Sequence, residues 1–180
     1  VLWPGGVSGA KEEAKVFYNN VNKLFPQWKD GPFIWQLDAE KLGAMPRKPN
    51  KSECKAFLDE VKRLTGDRGL FIAYAPKWAY GDELKGLGYP LWASNYSEST
   101  SGTFGHQYVG ITSKSWVPYS GTVPLILQYT SDATIGSQKT CDANAYKGTV
   151  GTLSTLASTT AAVKAETPKK SEPVTKIKPT

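Results

Sequence analysis

Four nearly continuous apolar runs constrain this chain most: "FIWQLD" at 33–38, "GLFIAYA" at 69–75, "YPLWASNY" at 89–96 and "VPLILQYTS" at 123–131. Strands covered on both faces read as unbroken apolar runs, whereas half-exposed strands alternate. Helix-patterned stretches lie between them. Residues 8–25 repeat Ala14, Phe17, Tyr18, Val21, Leu24 and Phe25 at helical spacing, with Ser8 as the expected cap. Residues 52–65 place Cys54, Phe57, Leu58, Val61 and Leu64 on one face, and Gly66 is positioned to end that helix. Residues 81–88 are expected to form a short helix. Helices alternating with buried strands predict an α/β chain with a parallel, helix-covered sheet.

One feature is unusual for such a chain. It opens on a helix that would normally be fed by an earlier strand. The expected architecture is therefore the later part of an α/β domain, an incomplete (β/α) barrel over residues 1–150. The Ser-, Gly- and Thr-rich residues 97–121 are expected to form a long irregular excursion. From Gly151 the composition shifts to Thr, Ala, Lys and Pro, which predicts a flexible, disordered linker or tail over 151–180. The chain begins with Val1 rather than Met, and an earlier start is expected to have been removed.

Composition excludes several functions. The net charge is +6, but the tail carries five Lys against two Glu, which leaves +3 for residues 1–150. That is a mildly basic surface without a nucleic-acid motif, compatible with weak attraction to an anionic polymer such as a bacterial wall. His106 is the only histidine, so neither a zinc site nor a histidine-based triad is expected. No apolar run approaches the ~20 residues of a membrane helix. Cys54 and Cys141 are either one disulfide or two buried thiols.

The chemistry lies at the strand ends. In an extended strand Ile34, Gln36, Asp38 and Glu40 share one face, with the alpha carbons of Asp38 and Glu40 about 7 Å apart. Parallel α/β folds bind ligands at the carboxyl ends of their strands, where both carboxylates sit. Two neighbouring carboxylates repel when ionised, so one holds its proton to higher pH. Glycosidic cleavage needs such a pair, an acid for the leaving oxygen and an anion for the cationic sugar. Tyr74 and Trp78 follow the second strand. Trp92, Asn95 and Tyr96 end the third, and Gln128, Tyr129 and Thr130 the fourth. Asp142 and Asn144 follow in "CDANAY". Together these make a candidate sugar groove with Tyr74, Trp92, Tyr96, Gln128 and Asp142 on its walls. Trp35 and Leu91 are assigned to the core.

The motifs "WQLDAE", "FIAYAPKW", "PLWASNY", "LQYTS" and "CDANAY", in this order over residues 8–148, resemble those of glycoside hydrolase family 25, lysozymes of fungal, bacterial and phage origin. The resemblance implies a modified TIM-type barrel. It implies an N-acetylmuramidase that cuts the β-1,4 bond between N-acetylmuramic acid and N-acetylglucosamine in bacterial peptidoglycan, outside the cell or as a phage lysin. By motif, Glu40 matches the catalytic acid. Asp38 matches the carboxylate that stabilises an intermediate formed with the substrate's own N-acetyl group. Tyr74 matches a cleft tyrosine, and Asp142 the acid of a closing D-x-N loop. No metal or organic cofactor is implied.

The chain departs from the family in two ways. Leu127 stands where the family often has Trp. The family's leading strands, the first with a further acidic residue, have no counterpart, and "VLWPGG" resembles the loop after the third of them. A longer enzyme, a partner that supplies the strands, or an inactive relative that still binds wall glycan would each account for this. A barrel acting on another β-linked sugar is a weaker alternative.

Overall fold

A computed structural model describes residues 1–96, 102–108 and 110–158. Strands β1 (Ile34–Asp38), β2 (Leu70–Pro76), β3 (Leu91–Ser94), β4 (Gly102–Thr103), β5 (Ile126–Ile135) and β6 (Gln138–Tyr146) form one sheet. The expected parallel core is present, with β1, β2, β3 and β5 adjacent in that order and parallel throughout. β4 pairs parallel with the far end of β5, and β6 returns antiparallel along β5. The sheet curls into half of a barrel. The helices are α1 (Gly6–Leu24), α2 (Lys51–Leu64), α3 (Lys77–Tyr80), α4 (Phe104–Gln107) and α5 (Val150–Ser158). No helix among the described residues is long and apolar enough to cross a membrane.

The two faces of the sheet differ in chemistry. Trp35, Leu37, Phe71, Ala73, Ala75, Leu91, Ala93 and Leu127 belong to one buried cluster with Ala10 and Ala14 of α1 and with Cys54, Phe57, Leu58 and Val61 of α2. Aromatic edges lock the layers together: Phe17 meets Trp35 edge-on at 5.8 Å between centroids, and Trp28 meets Trp35 at 5.0 Å. The opposite face carries Gln36, Asp38, Tyr74, Trp92 and Gln128, at alternate positions of the same strands. Helix cover on one side leaves this polar face as the concave wall.

α1 starts two residues before the expected Ser8 cap, and no side chain of its own caps it. The partner comes from α2. The Glu53 carboxylate, almost fully buried, accepts the Gly6 N–H at 2.7 Å and the Asn50 N–H at 2.8 Å. It also takes a two-pronged contact from Arg47 at 2.6 and 2.8 Å. Asn50 in turn accepts from the Glu53 N–H, which completes a capping box on α2. One carboxylate thus anchors the starts of two helices, a contact that local sequence does not encode.

Other differences follow from turns. Residues 81–86 are successive turns rather than a helix, and the helical turn falls earlier, at α3. Gly81, Gly86 and Gly88 all adopt positive φ, which interrupts helical geometry. The "CDANAY" segment is no loop, since it forms most of β6. The Gly136–Ser137 pair joins β5 to β6, with Gly136 at φ 61°. Residues 150–158, expected to begin the flexible tail, are helical, and the Ala157 carbonyl accepts the Phe33 N–H at 2.9 Å. The rest of that tail lies outside the described residues, as does part of the 97–121 excursion. Cys54 and Cys141 are two free thiols, and burial pushes the Cys54 thiol up to about 12.

β1 is an edge strand. Its outer side has one described backbone partner, the Leu2 N–H on the Asp38 carbonyl at 3.0 Å. A cavity of about 370 Å³ lies along this edge between β1, α1 and the first residues, with Leu2, Phe17, Gln36 and Phe57 among its walls.

Two outcomes are expected. The Arg47 contact holds the Glu53 carboxyl at about 2, down from 4.5. A depressed carboxyl stabilises the fold above its unfolded value, and that stability is lost as pH falls from about 4.5 towards 2. Urea-unfolding midpoints should drop across that window, and Glu53→Gln should flatten the drop. Separately, Gly69 sits at φ +106°, and a Cβ there would meet Trp35 at 2.8 Å and the Phe33 carbonyl at 2.9 Å. Gly69→Ala should cost about 2 kcal/mol or more in the same assay.

Candidate active site

The parallel register brings the candidate residues together. Asp38 pairs with Tyr74, and Tyr74 with Trp92, in one row across β1, β2 and β3. One step further, Ser94 pairs with Gln128 and Gln128 with Asn144. Glu40 follows β1, and the Ala39 N–H donates to the Tyr74 carbonyl at 2.9 Å, which carries the chain past the strand end in register. A cavity of about 230 Å³ opens on this rim. Asp38, Glu40 and Asp142 supply its carboxylates, Tyr74 and Trp92 its aromatic walls, and Gln36, Gln128 and Asn144 its amides.

Of the residues assigned to catalysis or to the groove walls, Tyr96 alone is outside the cavity lining. Its hydroxyl nevertheless reaches the site by donating to Gln128 Oε1 at 2.5 Å. Tyr74 donates to the same oxygen at 2.7 Å. Tyr74 and Gln128 are both buried. Trp92 Nε1 donates to Asn144 Oδ1 at 2.8 Å, which ties β3 to β6 across β5. Trp78, exposed on α3, packs against Tyr96 with centroids 5.3 Å apart. Asn95 is buried, and its Nδ2 donates to the Ser115 carbonyl at 2.9 Å, so it holds the neighbouring loop rather than lining the cavity. Trp35 and Leu91 are core residues, each 1% exposed.

Gln36 and Asn144 complete the lining. Gln36 was legible from strand alternation, because it shares the face of Asp38. Asp142 and Asn144 were read as loop residues, yet the alternation of Cys141, Ala143 and Ala145 with them marks a strand. The apolar set faces the core: Ala143 is buried in it, and Cys141 and Ala145 pack on it.

The electrostatics are those of a crowded anionic pocket. Burial raises the Asp38 carboxyl above its ordinary value. Asp38 Oδ1 is buried with no hydrogen-bond partner among the described residues. Glu40 is also raised, first by burial and then by the charges of Asp38 and Asp142. Burial likewise raises the Tyr74 hydroxyl, which stays neutral at physiological pH. Raised carboxyls bind protons in the folded chain at pH values where the unfolded chain has lost them. The pair therefore opposes folding increasingly as pH rises through that window. Among the described residues, no group of three His, Cys, Asp or Glu side chains could hold a metal ion.

A half-barrel with helices on its convex side and paired carboxylates on the carboxyl rim of its strands has the fold of the glycoside hydrolase 25 lysozymes. Three solved structures share it. The catalytic domain of endolysin ply40 from bacteriophage P40 of Listeria monocytogenes is 24% identical, with a TM-score of 0.60 over 87% of this chain and 68% of that one. GHIP, a glycosyl hydrolase 25 of Streptococcus pneumoniae participating in host cell invasion, is 18% identical, with a TM-score of 0.54 over 81% of this chain and 56% of that one. The spore cortex lytic enzyme SleM of Clostridium perfringens is 16% identical, with a TM-score of 0.56 over 82% of this chain and 48% of that one. The present chain thus spans about two thirds of the first structure and about half of the other two. No family model and no curated protein sequence matches it.

The charge coupling is directly measurable. In a carbon-detected NMR titration, Glu40 should titrate above 4.5, and Asp142→Asn should bring its midpoint down. An unshifted midpoint in that variant would remove Asp142 from the coupled set.

Proposed function

We propose that this chain is a peptidoglycan hydrolase of the N-acetylmuramidase type, cleaving the β-1,4 bond between N-acetylmuramic acid and N-acetylglucosamine. The observation that carries the proposal is the placement of Glu40 beside Asp38 and Asp142, with the Glu40 carboxyl raised, in a cavity walled by Tyr74 and Trp92. The three similar structures, an endolysin, a glycosyl hydrolase 25 and a spore cortex lytic enzyme, support the same class of substrate.

Glu40 is partly buried and has two carboxyl neighbours, and so keeps its proton longer than an isolated carboxyl would. It serves as the acid that protonates the leaving glycosidic oxygen. Asp38, once ionised, stabilises the cationic sugar, with the substrate's N-acetyl group closing on the anomeric carbon as the family resemblance implies. Tyr74, Trp92 and Tyr96 shape the cleft around the glycan, and Gln128 and Asp142 border it. The place of action is the bacterial cell wall. Residues 1–150, with α5 packed against Phe33, form the catalytic unit.

A second reading has its own support. Among the described residues no strand pairs with the outer edge of β1, and a cavity lies along it. On this reading the chain binds wall glycan and cuts it only when another segment or chain adds a strand there.

Release of reducing ends from purified peptidoglycan tests the first reading. Glu40→Gln should lower release by about 100-fold or more while the circular dichroism spectrum is kept. Release should also fall as pH rises through the raised Glu40 value, because the acid form is then lost. Near-normal hydrolysis by Glu40→Gln would end the assignment. Binding without release by the unaltered chain would favour the second reading.

A further inference from the structure

We propose that Asn144 is a substrate-positioning residue, a pre-oriented amide donor that holds an oxygen of the glycan. The proposal rests on the glycan-cleft reading above and assigns the residue that receives the sugar's acceptor atoms. The orientation of a side-chain amide is ambiguous when its partners can both give and accept. Here it is fixed, because an indole N–H only donates. Trp92 Nε1 lies 2.8 Å from Asn144 Oδ1, so the oxygen faces the indole and the NH₂ group is turned away from it. Asn144 lines the cavity that contains Asp38, Glu40 and Asp142.

Gln128, the Cα partner of Asn144 across β5 and β6, repeats the arrangement. Its Oε1 accepts from both Tyr74 and Tyr96. Two neighbouring amides thus have their acceptors engaged by the protein, leaving NH₂ groups for a ligand. This matters because the three carboxylates, when ionised, accept only. A sugar's hydroxyl protons find acceptors throughout the cavity, whereas its carbonyl and ether oxygens need donors. With the Tyr74 and Trp92 donors already engaged, the amides of Asn144, Gln128 and Gln36 are the remaining donors in the lining, and Gln36 is exposed. Asn144 is the one whose orientation a donor-only partner dictates.

The test measures affinity apart from chemistry. The full chain carrying Glu40→Gln is titrated by calorimetry with a tetrasaccharide of alternating N-acetylglucosamine and N-acetylmuramic acid. Asn144→Asp, added to that background, keeps an oxygen facing Trp92 but removes the donor, and should raise Kd about tenfold. Trp92→Phe, which frees the amide to rotate, should raise it several-fold. Asn144→Asp should not shift the thermal midpoint appreciably, as loss of a purely structural contact would, whereas Trp92→Phe, which also cuts the tie between β3 and β6, should lower it. In the chain with Glu40 intact, Asn144→Asp should raise KM more than it lowers kcat.

An unchanged Kd in Asn144→Asp overturns the inference and leaves the hydrolase reading standing. Tetrasaccharide binding without cleavage by the intact chain overturns the hydrolase reading, while the Asn144 comparison still decides this one. Absence of binding by the chain with or without Glu40→Gln overturns both.

Discussion

The parallel hydrogen-bond register of β1, β2, β3 and β5 is the constraint on which everything else in this molecule depends. Backbone pairing aligns Asp38 with Tyr74 and Trp92, and aligns Gln128 with Ser94 on one side and Asn144 on the other. Side-chain alternation then does the sorting. One set of positions meets α1 and α2 and is apolar, and the other faces the concave side and carries the polar groups. A slip of one residue in any pair would exchange the two sets. The Trp35 cluster therefore stabilises the fold and also keeps the carboxylates on the correct face.

The rim combines two kinds of interaction with opposite consequences. The tyrosine and tryptophan donors of Tyr74, Tyr96 and Trp92 engage the amide oxygens of Gln128 and Asn144 and hold the rim side chains together. The carboxylates are crowded and lack cationic partners in the cavity. Asp38 keeps a buried oxygen without a partner, and Glu40 feels two like charges. Glu53 is the contrasting case. It is far more buried than Glu40, yet it is held ionised by Arg47 and two backbone N–H groups. The same functional group is held ionised where donors surround it and keeps its proton to higher pH where they are withheld.

Much of the site was legible in advance. Asp38, Tyr74, Trp92 and Gln128 lie at the ends of apolar runs long enough to be read as strands, and strand ends in parallel α/β folds converge. The helix around Phe57 and Val61 was legible from its spacing. The β6 strand was overlooked because its apolar positions are small, Ala143 and Ala145, with Cys141, and its other face is polar. The alternation was present, but its amplitude was low. The helix at 150–158 was hidden by Ser and Thr, which favour no element strongly. Its place comes from burial of Ala157 beside Phe33.

The sequence by itself determined the α/β class, the parallel character of the strands and the location of paired carboxylates at a strand end. Those depend on periodicity and local hydrophobicity, which the chain carries residue by residue. Tertiary structure alone decided that Glu53 would start α1, that Asp142 would couple to Glu40 and that Trp92 would fix Asn144. Each joins residues far apart in the chain, 47 positions for Glu53 and Gly6 and 52 for Trp92 and Asn144. Local pattern carries no information about such pairs. They follow only when the register of the sheet and the packing of the helices bring the groups within hydrogen-bond or Coulomb range.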